Sequence, residues 1–229
     1  MFRPAIRRLF GIVALAGIGM PPAALAVDAA AIAHAGNGRG AAPCMACHGA
    51  DGAGQAAAGN PRLAGLDAAY LRKQLDDFAS GARSNPVMQP TATALSEDER
   101  HAMATYYSQL PLATYYSQLP LAMKPATALP APDSAGAVLA TRGDWSRGVP
   151  GCVQCHGPGG SGVGANFPPL AGQPASYIEA QLKAWQQGTR HNDPLQLMQH
   201  LSAALSAQDI HSVAAWFAAQ PVPAAETAP

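Results

Sequence analysis

Cys44-Met-Ala-Cys47-His48 and Cys152-Val-Gln-Cys155-His156 are two places where thiols and an imidazole crowd together in this chain. In each, the thiols stand three positions apart and the histidine follows the second directly. One helix-like turn at that spacing brings the three side chains to one side. Thiols so placed can add across the two vinyl groups of a haem, and the imidazole then falls beneath the iron as its proximal ligand.

Other chemistry for these residues fits less well. A structural zinc site built from two Cys-x-x-Cys pairs has about 15–20 residues between the pairs. Here 104 residues lie between Cys47 and Cys152. A thioredoxin-type redox pair needs a βαβ setting, which the sequence does not offer. Two short-range disulfides would give His48 and His156 no task.

Methionine thioether is the soft sixth ligand that favours reduced iron in electron-transfer sites. Of seven methionines, Met88 and Met198 stand at equivalent places in the two halves, eight residues before Ser96 and eight before Ser206. Both are expected in proline-containing loops, Asn85-Pro-Val-Met88 and Asn192-Asp-Pro-Leu-Gln-Leu-Met198, where they would complete the iron sites. Met103 has no partner in the second half and reads as core. His101 and His211 are matched but fall on a helix start, so a surface role is expected; His34, His191 and His200 lack counterparts. Pro61 and Pro168 stand in register and could each offer a carbonyl to the proximal imidazole. Arg83, Arg190 and Trp185 could touch haem propionates, although exposure is the ordinary expectation for arginine.

The elements that must hold these groups are written twice. The cysteine motifs match at an offset of 108, and Leu63-Ala64-Gly65 matches Leu170-Ala171-Gly172 at 107. Tyr70, Gln74, Leu75, Phe78, Gly81 and Arg83 match Tyr177, Gln181, Leu182, Trp185, Gly188 and Arg190 at the same offset. After three further residues, Met88, Leu95, Ser96 and His101 match Met198, Leu205, Ser206 and His211 at 110. Ordered repetition of this extent means two homologous domains.

Each half reads as a short helical unit. A first helix is expected at Ala29–Ala35 and Ser134–Thr141, and a second from Asp67 to Ser80 and Pro174 to Gln187, with Gly81 and Gly188 at the C-caps. Third helices open on the capping boxes Ser96/Glu99 and Ser206/Asp209. Ile210, Val213, Ala214 and Phe217 form one apolar face of the last. Ala104–Leu112, ATYYSQLPL, recurs letter for letter at Ala113–Leu121. Pro111 cannot sit inside a helix, so the first copy is expected to end the third helix and the second to lengthen a proline-rich linker.

At the amino end, Arg3, Arg7 and Arg8 precede an apolar run from Leu9 to Met20 and a small-x-small Ala24-Leu25-Ala26. That is the form of a secretory signal peptide cleaved after Ala26. The run is about a dozen residues, short of the roughly 20 that span a bilayer. Removing it takes three of fourteen basic residues and leaves eleven against fourteen acidic ones, a net of −3. A nucleic-acid partner, which needs a basic face, is not expected. Few runs of β-branched and aromatic residues argue against a large sheet. The expected organisation is a signal peptide at 1–26, a first domain at 27–110, a linker at 111–133, a second domain at 134–221 and a tail at 222–229.

The order CxxCHG, P-x-L-A-G, Y-x-x-x-Q-L, G-x-R, Met and L-S, given twice, resembles the di-haem cytochrome c4 family. The likeness runs from about Ala29 to Gln220. It implies an all-α fold of two tandem class I cytochrome c domains joined by a Pro-rich linker, and two covalently bound haem c groups. Cys44, Cys47, Cys152 and Cys155 would tether them, with His48/Met88 and His156/Met198 as axial ligands. It also implies the carbonyl role of Pro61 and Pro168. The function implied is electron transfer without catalysis at iron, in the periplasm, with some members held at the membrane. Redox partners implied are a quinol–cytochrome c oxidoreductase, a terminal oxidase or a dehydrogenase. An electron-accepting subunit of a periplasmic dehydrogenase, such as a sulfide-oxidising one, is an alternative. A di-haem peroxidase or thiosulfate-oxidising cytochrome is a further one, although all four cysteines are already used.

Overall fold

A computed structural model describes residues 27–111 and 131–222. The expected signal peptide, the second ATYYSQLPL copy and most of the linker and tail lie outside the described residues. The first half comprises α1 (Ala29–Ala35), α2 (Met45–His48), α3 (Ala68–Ser80), α4 (Met88–Thr93) and α5 (Glu97–Gln109). The second repeats that order with α6 (Ala135–Thr141), α7 (Val153–His156), α8 (Ala175–Gln186), α9 (Leu197–Ala203) and α10 (Ala207–Ala218). Between α6 and α7 lies an addition that the first half lacks, a two-residue hairpin pairing Gly143 with Pro150 and Asp144 with Val149.

Local chemistry sets the helix ends. Asp67 caps α3 by accepting from the Tyr70 N–H, and Gly81 closes it at φ 82°, a left-handed turn that costs glycine nothing. Ser134 caps α6 through the Ala137 N–H. Both capping boxes form: the Ser96 hydroxyl accepts from Glu99 N and the Glu99 carboxylate from Ser96 N, and Ser206 and Asp209 do the same. Helix α5 stops at Gln109, just before Pro111, as the first ATYYSQLPL copy requires. Two caps differ in detail from the sequence expectation. Pro174 is the N-cap of α8 rather than its first helical residue, and Gly188 follows the C-cap Gln187.

Each half folds around its own core. Ile32, Leu66, Leu71, Leu95, Met103, Ala104 and Tyr107 cluster in the first. In the second, Ile210, Val213, Ala214 and Phe217 bury the expected face of α10 against Leu139, Ile178 and Leu182. Helix α5 packs on α1 and α3, and α10 on α6 and α8, so the pairing of first and third helices frames both cysteine turns. Among the described residues no helix is long and apolar enough to cross a membrane.

The halves also meet directly. The Gln173 side-chain amide accepts from Arg62 N and donates to Arg62 O, both at 3.0 Å, while the Arg62 guanidinium donates to Ala64 O at 2.7 Å and Ala171 O at 3.1 Å. Arg62 is 1% exposed, so these bonds satisfy groups that water cannot reach.

The Ser206/Asp209 cap has a further partner in Arg147, whose Nη1 lies 2.7 Å from Asp209 Oδ2. Arg147, with Ser206 assisting, holds the Asp209 pKa down to about 2. A carboxyl depressed on folding adds stability above its unfolded pKa of about 3.9 and loses it as pH falls toward the folded value. Asp209 should therefore begin to lose this contribution below about pH 4, and Arg147→Ala should raise its pKa toward 3.9 in a carboxyl NMR titration. Ser96→Ala and Ser206→Ala should each cost about 1 kcal/mol, read as a lower guanidinium midpoint at unchanged slope.

Candidate functional site

The cysteine motifs fold as single helical turns. Cys44 is the N-cap of α2 and Cys152 that of α7, and the His48 and His156 amides each bond the first cysteine's carbonyl at 2.9 Å. Cysteine, cysteine and histidine thus lie at i, i+3 and i+4, on one side of a turn. None of the four cysteines is bridged to another, so the disulfide reading does not hold. Burial pushes the Cys44 thiol up and the Cys152 thiol to about 11, which keeps both protonated at neutral pH.

Both imidazoles are buried, His48 at 6% and His156 at 7% exposure. His48 Nδ1 lies 2.9 Å from the Pro61 carbonyl and His156 Nδ1 2.8 Å from that of Pro168. A carbonyl can only accept, so Nδ1 carries the proton and Nε2 keeps its lone pair. Burial lowers both histidine pKa values, opposed by the proline carbonyls. Each ring is thus a neutral, oriented donor. Glycine makes the close approach feasible. Gly54 N bonds His48 O at 2.8 Å and Gly162 N bonds His156 O at 2.7 Å. A Cβ on Gly54 would meet Arg62 N at 2.7 Å, and one on Gly162 would meet Pro169 at 2.7 Å.

Aliphatic walls stand beside each turn. Leu63 packs with Cys44 on the first core, and Leu170 with Cys152 and Met198 on the second. The edge of Phe167 meets the His156 ring at a centroid distance of 6.2 Å. The methionines were expected in loops; instead each sits in the first turn of a short helix, Met88 opening α4 and Met198 second in α9. Side-chain acceptors that the proline-bearing segments conceal start those helices. Asn85 Oδ1 accepts from Met88 N at 2.8 Å, and Asp193 accepts from Met198 N. The longer second segment enters α9 through Gln196 in a left-handed conformation, φ 54°. His101, His200 and His211 are exposed, and His211 meets Glu179 rather than the site.

Arg83 and Arg190 depart from the expectation of exposure: each is 6% exposed. They face each other across the halves as an antiparallel bridge. Arg83 donates to Gln74 at 2.8 Å, Gln181 at 2.6 Å and the Tyr177 hydroxyl at 3.0 Å. Arg190 donates to Gln181 at 2.9 Å and Asn192 at 3.0 Å and lies 4.0 Å over the Trp185 ring. These hydrogen-bond partners are neutral. Burial and the neighbouring Arg83 charge pull the Arg190 pKa below its ordinary value. Buried cations are costly unless compensated; Tyr177, Tyr70 and the Asp77 charge hold the Arg83 pKa up against its burial, and the pair could take an anionic group. The repeat carried a signal for this site that single residues did not, because Tyr70/Tyr177, Gln74/Gln181 and Arg83/Arg190 were already matched. Arg62 and Gln173 were missed; Gln173 stands where the first half has Leu66, a break in the repeat.

The donor set therefore fits a haem in each half: two thiols for attachment, an oriented neutral imidazole, an apolar wall and buried guanidiniums for acidic substituents. Among the described residues no cluster of three or more His, Cys, Asp or Glu could hold another metal ion.

A family model described as cytochrome c matches residues 34–111 and 135–219. A thiosulfate dehydrogenase electron acceptor of Stutzerimonas stutzeri is 54% identical over 175 residues, covering 76% of this chain and 77% of that one. Cytochrome c4 of Pseudomonas aeruginosa is 36% identical over 178 residues, covering 77% and 83%. The solved thiosulfate dehydrogenase (TsdBA) of Marichromatium purpuratum superposes with a TM-score of 0.73 at 44% identity. That match covers 86% of this chain and 41% of that chain, so this chain spans less than half of that protein.

Two haems per chain should resist acid–acetone extraction. Cys44→Ala or Cys152→Ala should leave one fully attached haem and one weakened, counted by the pyridine haemochrome.

Proposed function

The chain belongs to the cytochrome c family, in its di-haem cytochrome c4 branch, and on that premise we propose that it is the electron acceptor of a thiosulfate-oxidising dehydrogenase in the periplasm. It is a di-haem electron-transfer protein, and haem c supplies each half with a one-electron iron couple. What supports the finer reading is the 54% identity to a protein of that description, together with two sites of one design.

His48 and Met88 would ligate the haem iron of the first half, and His156 and Met198 that of the second. Pro61 and Pro168 accept from Nδ1, which would leave each Nε2 lone pair free to ligate iron. The Met88 and Met198 thioethers would be soft donors to iron, which favour its reduced state. With His48, Met88, His156 and Met198 as ligands, the iron of each half would have no place left for small molecules, as suits a haem that carries electrons. Leu63 and Leu170 exclude water, which keeps the surroundings apolar. Arg83 and Arg190 are the proposed partners of propionate carboxylates near the junction of the halves. Their neutral hydrogen-bond partners leave that charge available.

Onward delivery to a terminal oxidase follows from the same chemistry, because an acceptor must be reoxidised by a partner of higher potential. Similarity to cytochrome c4 at 36% identity supports this second leg.

Thiosulfate with purified thiosulfate dehydrogenase should reduce both haems, seen as growth of the ferrous α-band. Failure of reduction with an active dehydrogenase, or equal reduction by thiosulfate alone, would overturn the partner assignment. Met88→Ala and Met198→Ala should each open one iron to carbon monoxide at one equivalent per chain. An unchanged spectrum in either variant would place another ligand at that iron.

A further inference from the structure

The peptide joining Pro61 to Arg62 is hydrogen-bonded on both edges. Its carbonyl accepts from His48 Nδ1 at 2.9 Å, and its N–H donates to Gln173 Oε1 at 3.0 Å. One planar amide thus connects the proximal imidazole of the first half to a side chain of the second. His48, Arg62 and Gln173 are all buried, so water does not compete for either bond. Gln173 is also held from its other end, because its Nε2 donates to Arg62 O at 3.0 Å. With an N–H before one terminal atom and a carbonyl before the other, the side-chain amide cannot be turned over.

The second half has no such connection. His156 Nδ1 meets the Pro168 carbonyl at 2.8 Å, the same contact as in the first half. The residue that follows is Pro169, so that peptide carries no N–H for any group to accept from. At the place of Gln173 the first half has Leu66, a side chain without an acceptor. Donor and acceptor are therefore both missing from the other copy, and the difference lies on the peptide that holds the proximal histidine.

We propose that Gln173 of the second half is a potential-setting positioning residue for the first haem: by accepting from Arg62 N–H it strengthens the His48–Pro61 hydrogen bond and lowers that haem's reduction potential. An amide whose N–H is engaged carries more negative charge on its oxygen, and hydrogen bonds in a chain polarise one another in this way. The Pro61 oxygen then draws harder on the His48 Nδ1 proton, which makes the imidazole a more basic ligand. A more basic donor favours ferric over ferrous iron. Because the bond exists only where the two halves meet, the first iron couple is set in part by the junction.

The inference rests on one covalent haem per half with His48 as a ligand, and haem is therefore counted in every variant. Gln173→Met nearly keeps the length of the side chain and removes the amide. In the full di-haem protein it should raise the reduction equilibrium constant of the first haem about threefold, ~28 mV at 59 mV per decade for one electron. The second haem should not move. Merely loosened packing acts in the opposite direction, because water admitted at the junction favours the more highly charged ferric state. Spectroelectrochemical titration gives the potentials, and NMR of the haem methyl signals during stepwise reduction assigns each to its half. In the ferrous protein the His48 Nδ1 proton signal should move upfield as its hydrogen bond weakens, while that of His156 stays. Gln173→Glu restores an oxygen opposite Arg62 N–H, so its first potential should lie at or below the unaltered value. If Gln173→Met takes up fewer than two haems, Gln173→Glu decides alone, and a raised first potential there would overturn the proposal. In a Gln173→Met protein with two haems, an unchanged or lowered first potential would overturn it, as would an equal shift of both haems. Fewer than two haems in the unaltered protein would instead sink the haem reading beneath it.

Discussion

A buried imidazole whose Nδ1 proton is given to a proline carbonyl is the contact around which each half is arranged. At 2.9 Å from His48 to Pro61 and 2.8 Å from His156 to Pro168, the bond fixes both tautomer and ring plane. It forces the chain back to the histidine within 13 residues in one half and 12 in the other. Such a return leaves no room for side chains where strands cross, which explains Gly54 and Gly162. The Leu-Ala-Gly turn must then follow at once, and it ties the loop to the third helix through Gly65 and Gly172. Helix packing therefore serves the imidazole: first and third helices brace the turn that presents it.

The junction of the halves obeys a different constraint. Arg83 and Arg190 lie close to a pseudo-twofold arrangement, each bonded to the glutamines of both halves. Two guanidiniums side by side out of water repel, and neutral amides and phenols do not cancel their charge. The aromatic faces of Phe78 and Trp185, at 4.5 and 4.0 Å, supply part of the compensation. Asn192, which matches Asn85 at the same offset as the arginines, reaches Gln74 at 3.0 Å and Asp77 at 2.7 Å on α3.

Duplication makes departures from symmetry informative. Gln173 replaces an apolar Leu66 because the second half must satisfy the backbone of Arg62, whereas nothing asks the reverse of the first. Tyr107 and Phe217 differ by one oxygen in nearly identical packing.

The sequence by itself determined the haem motifs, the twofold repeat and the capped helices, and it set Pro61 and Pro168 in register, while the structure brought their carbonyls to the histidines. These are local or repeated features, and a capping box or a three-residue spacing acts within one turn of helix. It did not reveal the helical placement of Met88 and Met198, because prolines nearby signal loops while Asn85 and Asp193 cap from a distance set by the backbone. Nor did it reveal that Arg83 and Arg190 are buried. Arginine is ordinarily exposed, and only contact between residues more than ninety positions apart takes these two from water. Tyr107 likewise looked like one more aromatic on a helix. Its ring is buried because the fold closes α5 over Gly52, and burial and long-range neighbours belong to the tertiary structure and not to any local stretch of chain.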